Sequence, residues 1–404
     1  MKRLSALLLF FSFDASAQLP ERVTLDEALR IVSEGPRVVA SQRDADAARA
    51  DRDAAGAFAN PNLSIGRARP SGGERTIFDA NSQDQASLEL PVPIFGQRAA
   101  RVQVAERQVE RAQWQVRSTL GEAKKSAALE FVRLLVAQES LTLRRRARAE
   151  IERIRGIVAG RLDNGMASRY DLARADAELS LSSIGVQKAE AEAAEHAAAL
   201  AALAGAGAWR PQAQGALEAL RSAPPVDADA LLERSPALQT ARAETRAAEA
   251  RIELAQRERL PVPSLALGRT WTSGPFGAAN FIGLSSEIPI LDGKRGLTDR
   301  ARADAAAARE RERAVNATVR AEYQRQRDNL QVRRAALERF QKGAAERQAD
   351  FLEMAETAYR LGRGTLFELL DARRTQLEAA AAQLELVGAV IEAQVELRAL
   401  VGDL

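Results

Sequence analysis

The chain has 404 residues, of which 46% are hydrophobic, 28% are charged and only 4% are aromatic, and its formal net charge is +3. Thick globular cores need large side chains, whereas thin seams between helices can be built from Ala and Val, so this composition favours long coiled coils. Acidic and basic residues interleave without a one-sided basic stripe, which argues against a nucleic-acid partner. The chain contains no cysteine, so we expect no disulfide, no thiolate metal site and no lipid anchor.

The N-terminus has the pattern of an export signal. Lys2 and Arg3 precede an apolar run over residues 4–13. Small residues at 15–17 then form a cleavage site. The run is too short to cross a bilayer as a stable helix, and no later stretch approaches the roughly 20 apolar residues that a transmembrane helix needs. We therefore predict a signal peptide over 1–17, cleaved after Ala17, and a mature protein beyond the inner membrane.

The first half of the mature chain, residues 18–204, predicts helices interrupted by a pair of strands. A helical pattern over 37–59 ends at an Asn-Pro pair. Alternation of apolar with small or polar residues predicts strands over 62–69 and 86–92, with a polar loop between them. A proline-free helical pattern then covers about 96–160, with Val and Ala at coiled-coil spacing.

The second half repeats this order. Residues 205–230 contain Gly, Pro and Trp, and we interpret them as an irregular linker between the halves. Residues 231–404 then predict strands over 263–271 and 280–288, followed by a second long helix over about 294–361. Each half therefore reads as helix, strand, loop, strand, long helix, tip and helix, which indicates an internal duplication.

The tips of two helical hairpins, at about 161–168 and 359–366, are the clearest sign of the duplication. In each, a glycine supplies the left-handed conformation that ends one helix. A hydroxyl residue three positions later is suited to N-cap the next helix. The predicted tip residues are Gly165, Ser168, Gly362, Gly364 and Thr365.

Four short strands cannot close a barrel, because about eight is the practical minimum, and an isolated sheet leaves open edges. Closure must come from other copies of the chain, and three copies would give twelve strands, an even number suited to an outer membrane. The strand alternation predicts a lipid face formed by Leu63, Ile65, Leu88, Leu90, Leu265, Leu267, Ile282 and Leu284, and a lumen face formed by Ser64, Gly66, Ser87, Glu89, Gly283, Ser285 and Glu287.

Together, the export signal, the repeat, the proline-flanked strand pairs and the paired tips resemble the TolC family of outer-membrane efflux channels over nearly all of the mature chain. Segments 90–98 and 214–220 are most similar to the CzcC-like heavy-metal resistance branch. The resemblance implies a mainly α fold with a small β part, in which a homotrimer forms a twelve-stranded outer-membrane β-barrel on a long periplasmic α-barrel. It implies a passive channel in a Gram-negative bacterium, with no enzymatic activity and no cofactor.

The resemblance also implies partners and an aperture. The tips would meet a periplasmic adaptor and an inner-membrane pump of the resistance-nodulation-division (RND) type, and outer-membrane lipid would surround the barrel. The cargo would be divalent heavy-metal cations, with drugs or secreted proteins as the alternative. In the family, acids six and nine positions after the second tip glycine narrow the closed end, and these are Glu368 and Asp371 here. A ring of carboxylates favours cations and repels anions.

A gate latch is the last feature that the resemblance implies. The family joins a tyrosine three before the second tip glycine to an acid six after the first, which fall on Tyr359 and Asp171. The family's latch arginine falls on Gly364, so that part of the latch is absent or replaced by Arg363 or Arg360.

Ordinary alternatives exist for these assignments. Glu368 and Asp371 are also acids of a kind that the helix dipole favours in a first turn, and Tyr359 and Asp171 also fit unrelated solvent-facing residues. His196, the only histidine, is interpreted as a solvated or packing residue rather than a metal ligand. A periplasmic adaptor has one hairpin and compact β-rich domains, and a structural coiled coil would not explain the strand pairs.

Overall fold

A computed structural model of the protein describes residues 19–69, 82–221, 232–273, 277–343 and 345–404, without the side chains of 345–349. The predicted signal peptide and most of the loop between the first two strands lie outside the described residues. No helix in these ranges combines the length and the apolarity that crossing a membrane requires.

The described elements confirm a mainly helical fold with a small β part and a duplicated order. The helices are α1 (Leu25–Ser33), α2 (Pro36–Gly56), α3 (Gln97–Asp163), α4 (Arg169–Leu203), α5 (Leu217–Arg221), α6 (Pro236–Arg257), α7 (Arg295–Gly343), α8 (Ala345–Arg360) and α9 (Leu366–Leu400). The strands are β1 (Arg22–Val23), β2 (Asn62–Ala68), β3 (Gln83–Pro91), β4 (Gln212–Ala213), β5 (Pro263–Thr272) and β6 (Ala278–Ser286).

The chain forms two compact units, and α3, α7 and α9 contribute residues to both. We call them the tip unit and the sheet unit. The tip unit comprises residues 1–32, 126–223 and 334–392, and the sheet unit comprises 33–125, 224–333 and 393–404.

The tip unit contains the segment that the sequence predicted as an irregular linker, and that prediction is wrong for part of it. β4 pairs in parallel with β1, and α5 follows after three residues. The Trp209 indole N–H donates to the Pro20 carbonyl at 2.8 Å. A two-residue strand is stabilised by its distant partner, which leaves no local periodicity in the sequence. Residues 222–231 lie outside the described residues.

The sheet unit holds one antiparallel sheet in the order β2-β3-β5-β6. Its register places Leu63, Leu88, Leu267 and Ile282 in one row across the four strands. Since side chains alternate between the faces of a strand, the predicted apolar set shares one face of this sheet and the polar set faces the other way. The predicted division of the two faces is therefore confirmed within the strands.

Three strand boundaries differ by two or more residues from the sequence prediction, among them the start of β6, at Ala278 rather than 280, where it pairs with Trp271. β3 begins at Gln83 rather than 86, because its polar first residues pair on both sides, Gln83 with Ala68 and with Thr272. β6 ends at Ser286 rather than 288, because its last partner is Pro263, the first residue of β5. Polar residues at strand ends carry no alternation signal, so pairing sets these limits.

The helices of the sheet unit pack through small side chains, as the composition predicted. Ala248 of α6 and Ala305 and Ala308 of α7 form a buried cluster that Ile252 covers. The Thr245 hydroxyl lies 3.4 Å from the Ala308 carbonyl across the same contact. Small residues let helix backbones approach closely, so a thin seam suffices here.

Candidate functional site

Both hairpin tips, which lie in the tip unit, have the geometry that the glycines predicted. Gly165 and Gly362 adopt φ of +70° and +71°, in the left-handed region. The residue after Gly165 donates its amide to the Arg161 carbonyl at 2.7 Å, and the residue after Gly362 donates to the Ala358 carbonyl at 2.9 Å. These bonds close the last turn of the helix before each tip.

The helix that follows each tip starts with a capping box. The Ser168 hydroxyl accepts the Asp171 amide at 3.1 Å, and the Asp171 carboxylate accepts the Ser168 amide at 2.9 Å. At the second tip the Thr365 hydroxyl accepts the Glu368 amide at 3.3 Å, and the Glu368 carboxylate accepts the Thr365 amide at 2.8 Å. Two predicted site acids therefore also stabilise the starts of α4 and α9.

The cap at the first tip is expected to depend on pH. Hydrogen bonds from the Ser168 hydroxyl and then from its amide hold the pKa of the Asp171 carboxyl below its ordinary value. A lowered pKa in the folded state gives stability that is complete above the unfolded value, about 3.9, and is lost as the pH falls through the folded value. Ser168→Ala is expected to accelerate hydrogen exchange in residues 168–172 about fivefold at pH 7, since such a cap is worth about 1 kcal/mol.

The measurement is hydrogen exchange with mass spectrometry at pH 3 and pH 7, corrected for intrinsic rates. The wild-type segment should lose protection at the lower pH. Thr365→Ala removes the equivalent cap at the second tip and is the matched control, because it should leave residues 168–172 unchanged. Equal protection in wild type and Ser168→Ala at pH 7 would contradict the stabilising role of the cap.

A shared core underlies the two tips. The C-terminal part of α3 and the N-terminal parts of α4 and α9 contribute to it. Both hairpins therefore bury side chains in one cluster. Its buried members are Ile154, Val158, Ala175, Leu366, Leu369 and Leu370, and Ala167, Leu172 and Tyr359 pack against them.

The structure places the predicted latch residues in different local contacts. The Tyr359 ring lies under the Arg161 guanidinium, 4.4 Å from its central carbon to the ring centroid. The Asp171 carboxylate is bonded to Ser168, with its oxygen 2.7 Å from the hydroxyl oxygen. The predicted bond between the Tyr359 hydroxyl and Asp171 stays a prediction, and sequence reasoning missed Arg161 altogether.

Gly364, the position of the family's latch arginine, leaves little room for a side chain. A Cβ atom there would lie 3.0 Å from the Ala358 Cβ and 3.2 Å from the Tyr359 nitrogen. The two candidate replacements, Arg360 and Arg363, are both exposed.

The predicted aperture acids lie on the first two turns of α9. Glu368 and Asp371 are three residues apart, which places them on neighbouring positions of one helix face, and both are exposed. Their exposure leaves both carboxylates accessible, and the aperture assignment stays a prediction.

An exposed apolar patch at the tips escaped the sequence analysis. Met166 and Tyr170 are 71% and 70% exposed, and Leu361 and Phe367 are 61% and 54% exposed. Tyr170 and Phe367 each stand five residues after a tip glycine, and this repeated aromatic is the sequence signal by which they could have been found. All four stand within five residues of a tip glycine, so both tips expose large apolar side chains of the kind that contact sites use.

The two predicted lumen acids lie in the sheet unit. Glu89 accepts a hydrogen bond from the Ser285 hydroxyl at 2.7 Å, between two residues of the predicted lumen face. Glu287 follows the end of β6 and lines a cavity of about 430 Å³ that also contains Arg101, Arg259 and Lys294. Their luminal role stays a prediction.

His196 contacts a carboxylate and lies in the tip unit. Its Nδ1 atom is 3.0 Å from the Glu130 carboxylate, and its side chain is 28% exposed. Within the described ranges, no group of three or more His, Cys, Asp or Glu side chains is arranged to hold a metal ion.

Comparison with known proteins identifies a family and similar sequences. The family model described as outer membrane efflux protein matches residues 30–206 and 228–403. The chain is 26% identical over 326 residues to the cobalt-zinc-cadmium resistance protein CzcC of Cupriavidus metallidurans, covering 78% of this chain and 76% of that protein. It is 28% identical over 312 residues to the nickel-cobalt-cadmium resistance protein NccC of Alcaligenes xylosoxydans xylosoxydans, covering 74% and 68% respectively.

The fold is also similar to solved structures. It matches CusC, whose crystal structures are described in terms of transmembrane channel formation, with a TM-score of 0.79 and 17% identity, over 93% of this chain and 91% of that one. At this identity the likeness concerns the fold.

Proposed function

Because the chain belongs to the outer membrane efflux protein family, we propose that it is the passive exit duct of a tripartite efflux system, embedded in the outer membrane of a Gram-negative bacterium and extending into the periplasm. The family and the fold are those of channel proteins. The duct supplies a water-filled path, and energy enters at the pump. Export to this location uses the predicted signal peptide, cleaved after Ala17.

The four-stranded sheet is the observation that carries the proposal. One face bears Leu and Ile residues of all four strands, among them Ile65, Ile282 and Leu284, which are 77%, 74% and 77% exposed. The other is mainly polar or small, with Ser, Gly and Glu89 residues, and carries one aromatic ring, Phe281, over Gly268. An exposed apolar face opposite a polar face is the pattern of a lipid-facing barrel wall around a wet lumen.

The edges of the sheet support closure by three copies. β2 and β6 are the edge strands, and exposed edges invite pairing with another chain. Joining β6 of one copy to β2 of the next gives a closed twelve-stranded wall, in which every strand pairs on both sides and outer-membrane lipid contacts the apolar face.

The partners are a periplasmic adaptor and an inner-membrane pump of the RND type. The exposed tip patch of Met166, Tyr170, Leu361 and Phe367 suits an adaptor contact, because interface centres are rich in aromatic residues and Met. The tip glycines and hydroxyl residues set the shape of that surface.

We propose divalent heavy-metal cations as the cargo. The relatives CzcC and NccC are named for resistance to cobalt, cadmium, zinc and nickel. Exposed Glu368 and Asp371 agree with a cation path, since rings of carboxylates select cations. In three copies they would place six carboxylates around one aperture.

The test is the ion selectivity of the purified trimer in planar bilayers. Glu368→Gln/Asp371→Asn removes both charges, while Gln at 368 still accepts the capping bond of Thr365. We expect a cation-selective conductance in wild type and a loss of that selectivity in the double variant. Asp350→Asn/Glu353→Gln, an exposed pair of the same spacing on α8, is the matched control and should behave as wild type.

Three other outcomes have separate meanings. An unchanged selectivity in the Glu368→Gln/Asp371→Asn variant would leave the channel proposal standing and reject the assignment of these two acids to the aperture. An anion-selective wild-type channel would reject cations as cargo. Finding only monomers, in the periplasmic fraction, would reject the channel itself.

A further inference from the structure

Within the tip unit, Arg161 of the first hairpin contacts Tyr359 of the second. It belongs to the last turn of α3, and its Nη2 atom donates to the Tyr359 carbonyl, in the last turn of α8, at 3.4 Å. Its guanidinium also covers the Tyr359 ring at 4.4 Å. One side chain therefore contacts both the ring and the backbone of Tyr359.

Both contacts suit a cation, and both suit arginine better than lysine. The face of an aromatic ring attracts a cation, and the carbonyls at a helix C-terminus carry the negative end of the helix dipole. The planar guanidinium of arginine stacks on a ring while its N–H groups donate sideways, whereas a lysine ammonium is a point charge. The Tyr359 carbonyl also accepts the Gly362 amide at 3.1 Å, so Arg161 binds the turn that forms the second tip.

Of the residues considered near Tyr359, Arg161 is the one placed to hold it. A Cβ at Gly364 would lie only 3.2 Å from the backbone nitrogen of Tyr359, so a side chain there would push Tyr359 aside, and Arg360 and Arg363 are exposed. Arg161 is half-buried, on the opposite hairpin, beside the core that the Tyr359 ring partly covers.

We propose that Arg161 is a positioning residue of the tip latch, which holds the second hairpin against the first by clamping the ring and the carbonyl of Tyr359. The ring of Tyr359 is what the latch needs, and its hydroxyl is dispensable. This inference rests on the proposed channel function, in which the tips form the closed periplasmic end.

The test separates the ring from the hydroxyl. Tyr359→Phe keeps the ring and the carbonyl, and Tyr359→Leu keeps only the carbonyl. In planar bilayers, Arg161→Ala and Tyr359→Leu are expected to raise the ratio of open to closed channels about two- to fivefold per copy, the factor that an exposed cation–π contact contributes. Tyr359→Phe should match wild type, and Arg161→Lys should lie between wild type and Arg161→Ala.

Two controls make the result specific. Arg360→Ala removes an exposed arginine from the same turn as Tyr359 and should match wild type. The double variant Arg161→Ala/Tyr359→Leu should open no more than Arg161→Ala, which already loses both contacts, and more than Tyr359→Leu, which keeps the carbonyl contact. Opening by Tyr359→Phe as large as by Tyr359→Leu would overturn the proposal in favour of the hydroxyl–Asp171 bond, and wild-type gating of Arg161→Ala would also overturn it.

A second readout separates failure of the clamp from failure of the channel. Spin labels at Asn164→Cys and Arg363→Cys, in the naturally cysteine-free chain, report the separation of the two tips without any conductance. Arg161→Ala should broaden the distance distribution, and Tyr359→Phe should not. If folded trimers of every variant conduct no ions, the channel proposal fails, and an unchanged distance distribution in Arg161→Ala would reject the clamp independently.

Discussion

Gly268→Ala is expected to destabilise the assembled protein by about 1–3 kcal/mol per chain, the cost of overpacking a filled site. A Cβ at this position would collide with the ring of Phe281 and would lie 2.9 Å from the backbone carbonyl oxygen of Ala86. The ring can rotate, but the carbonyl belongs to the ladder between β3 and β5 and cannot move without disturbing it. The expected result is a lower temperature at which trimers dissociate in detergent.

The sheet provides matched controls for this substitution. Gly66 of β2 and Gly283 of β6 also lie on the polar face, and a Cβ at either would meet nothing within 4 Å. Gly66→Ala and Gly283→Ala should therefore leave the dissociation temperature unchanged or slightly raised. Adding Phe281→Ala to Gly268→Ala should restore only part of the loss, since the carbonyl contact remains. Equal dissociation temperatures for all three glycine variants would contradict the steric explanation.

Gly364→Arg, which introduces the arginine of the wider family at this position, is expected to loosen the second tip instead of strengthening it. The obstacle is the Cβ atom, 3.2 Å from the Tyr359 nitrogen and 3.3 Å from the Ala358 carbonyl carbon. Because alanine already carries that atom, Gly364→Ala should have nearly the same effect, about 1–3 kcal/mol of local stability. A displaced Tyr359 would also lose its contacts with Arg161.

The measurement is the rate of trypsin cleavage after Arg363, which is exposed and adjacent. Both Gly364 variants should be cleaved faster than wild type at this bond. Gly160→Ala is the control, because Gly160 lies in α3 on the other hairpin and its Cβ would meet nothing within 4 Å, so cleavage after Arg363 should not be faster than in wild type. Gly364→Arg adds a second trypsin site, so mass spectrometry must separate cleavage after position 363 from cleavage after position 364. Slower cleavage after position 363 in Gly364→Arg than in Gly364→Ala would mean that the arginine forms a latch contact after all.

Features with a local cause were predicted from the sequence. The left-handed glycines at 165 and 362, the capping residues Ser168 and Thr365 and the two faces of the sheet all follow from residue type and spacing. Each depends on neighbours within a few positions, where backbone sterics and alternation act directly.

Features that join distant segments were missed. Arg161 and Tyr359 are separated by 198 residues. The β1–β4 pair likewise connects residues about 190 positions apart. No single-sequence pattern specifies such contacts, because tertiary packing selects them after the local elements have formed.

The open edges of the sheet have a genetic consequence. If β2 of one copy completes the wall of the next, every closed assembly draws on three independently synthesised chains, and one chain with a distorted sheet weakens two junctions. When a chain that carries Gly268→Ala is co-expressed with the normal chain, few assemblies would contain three normal copies. The variant would therefore enter most assemblies and destabilise them. Strand alleles of this protein should therefore be dominant-negative, whereas an allele that prevents export would be recessive.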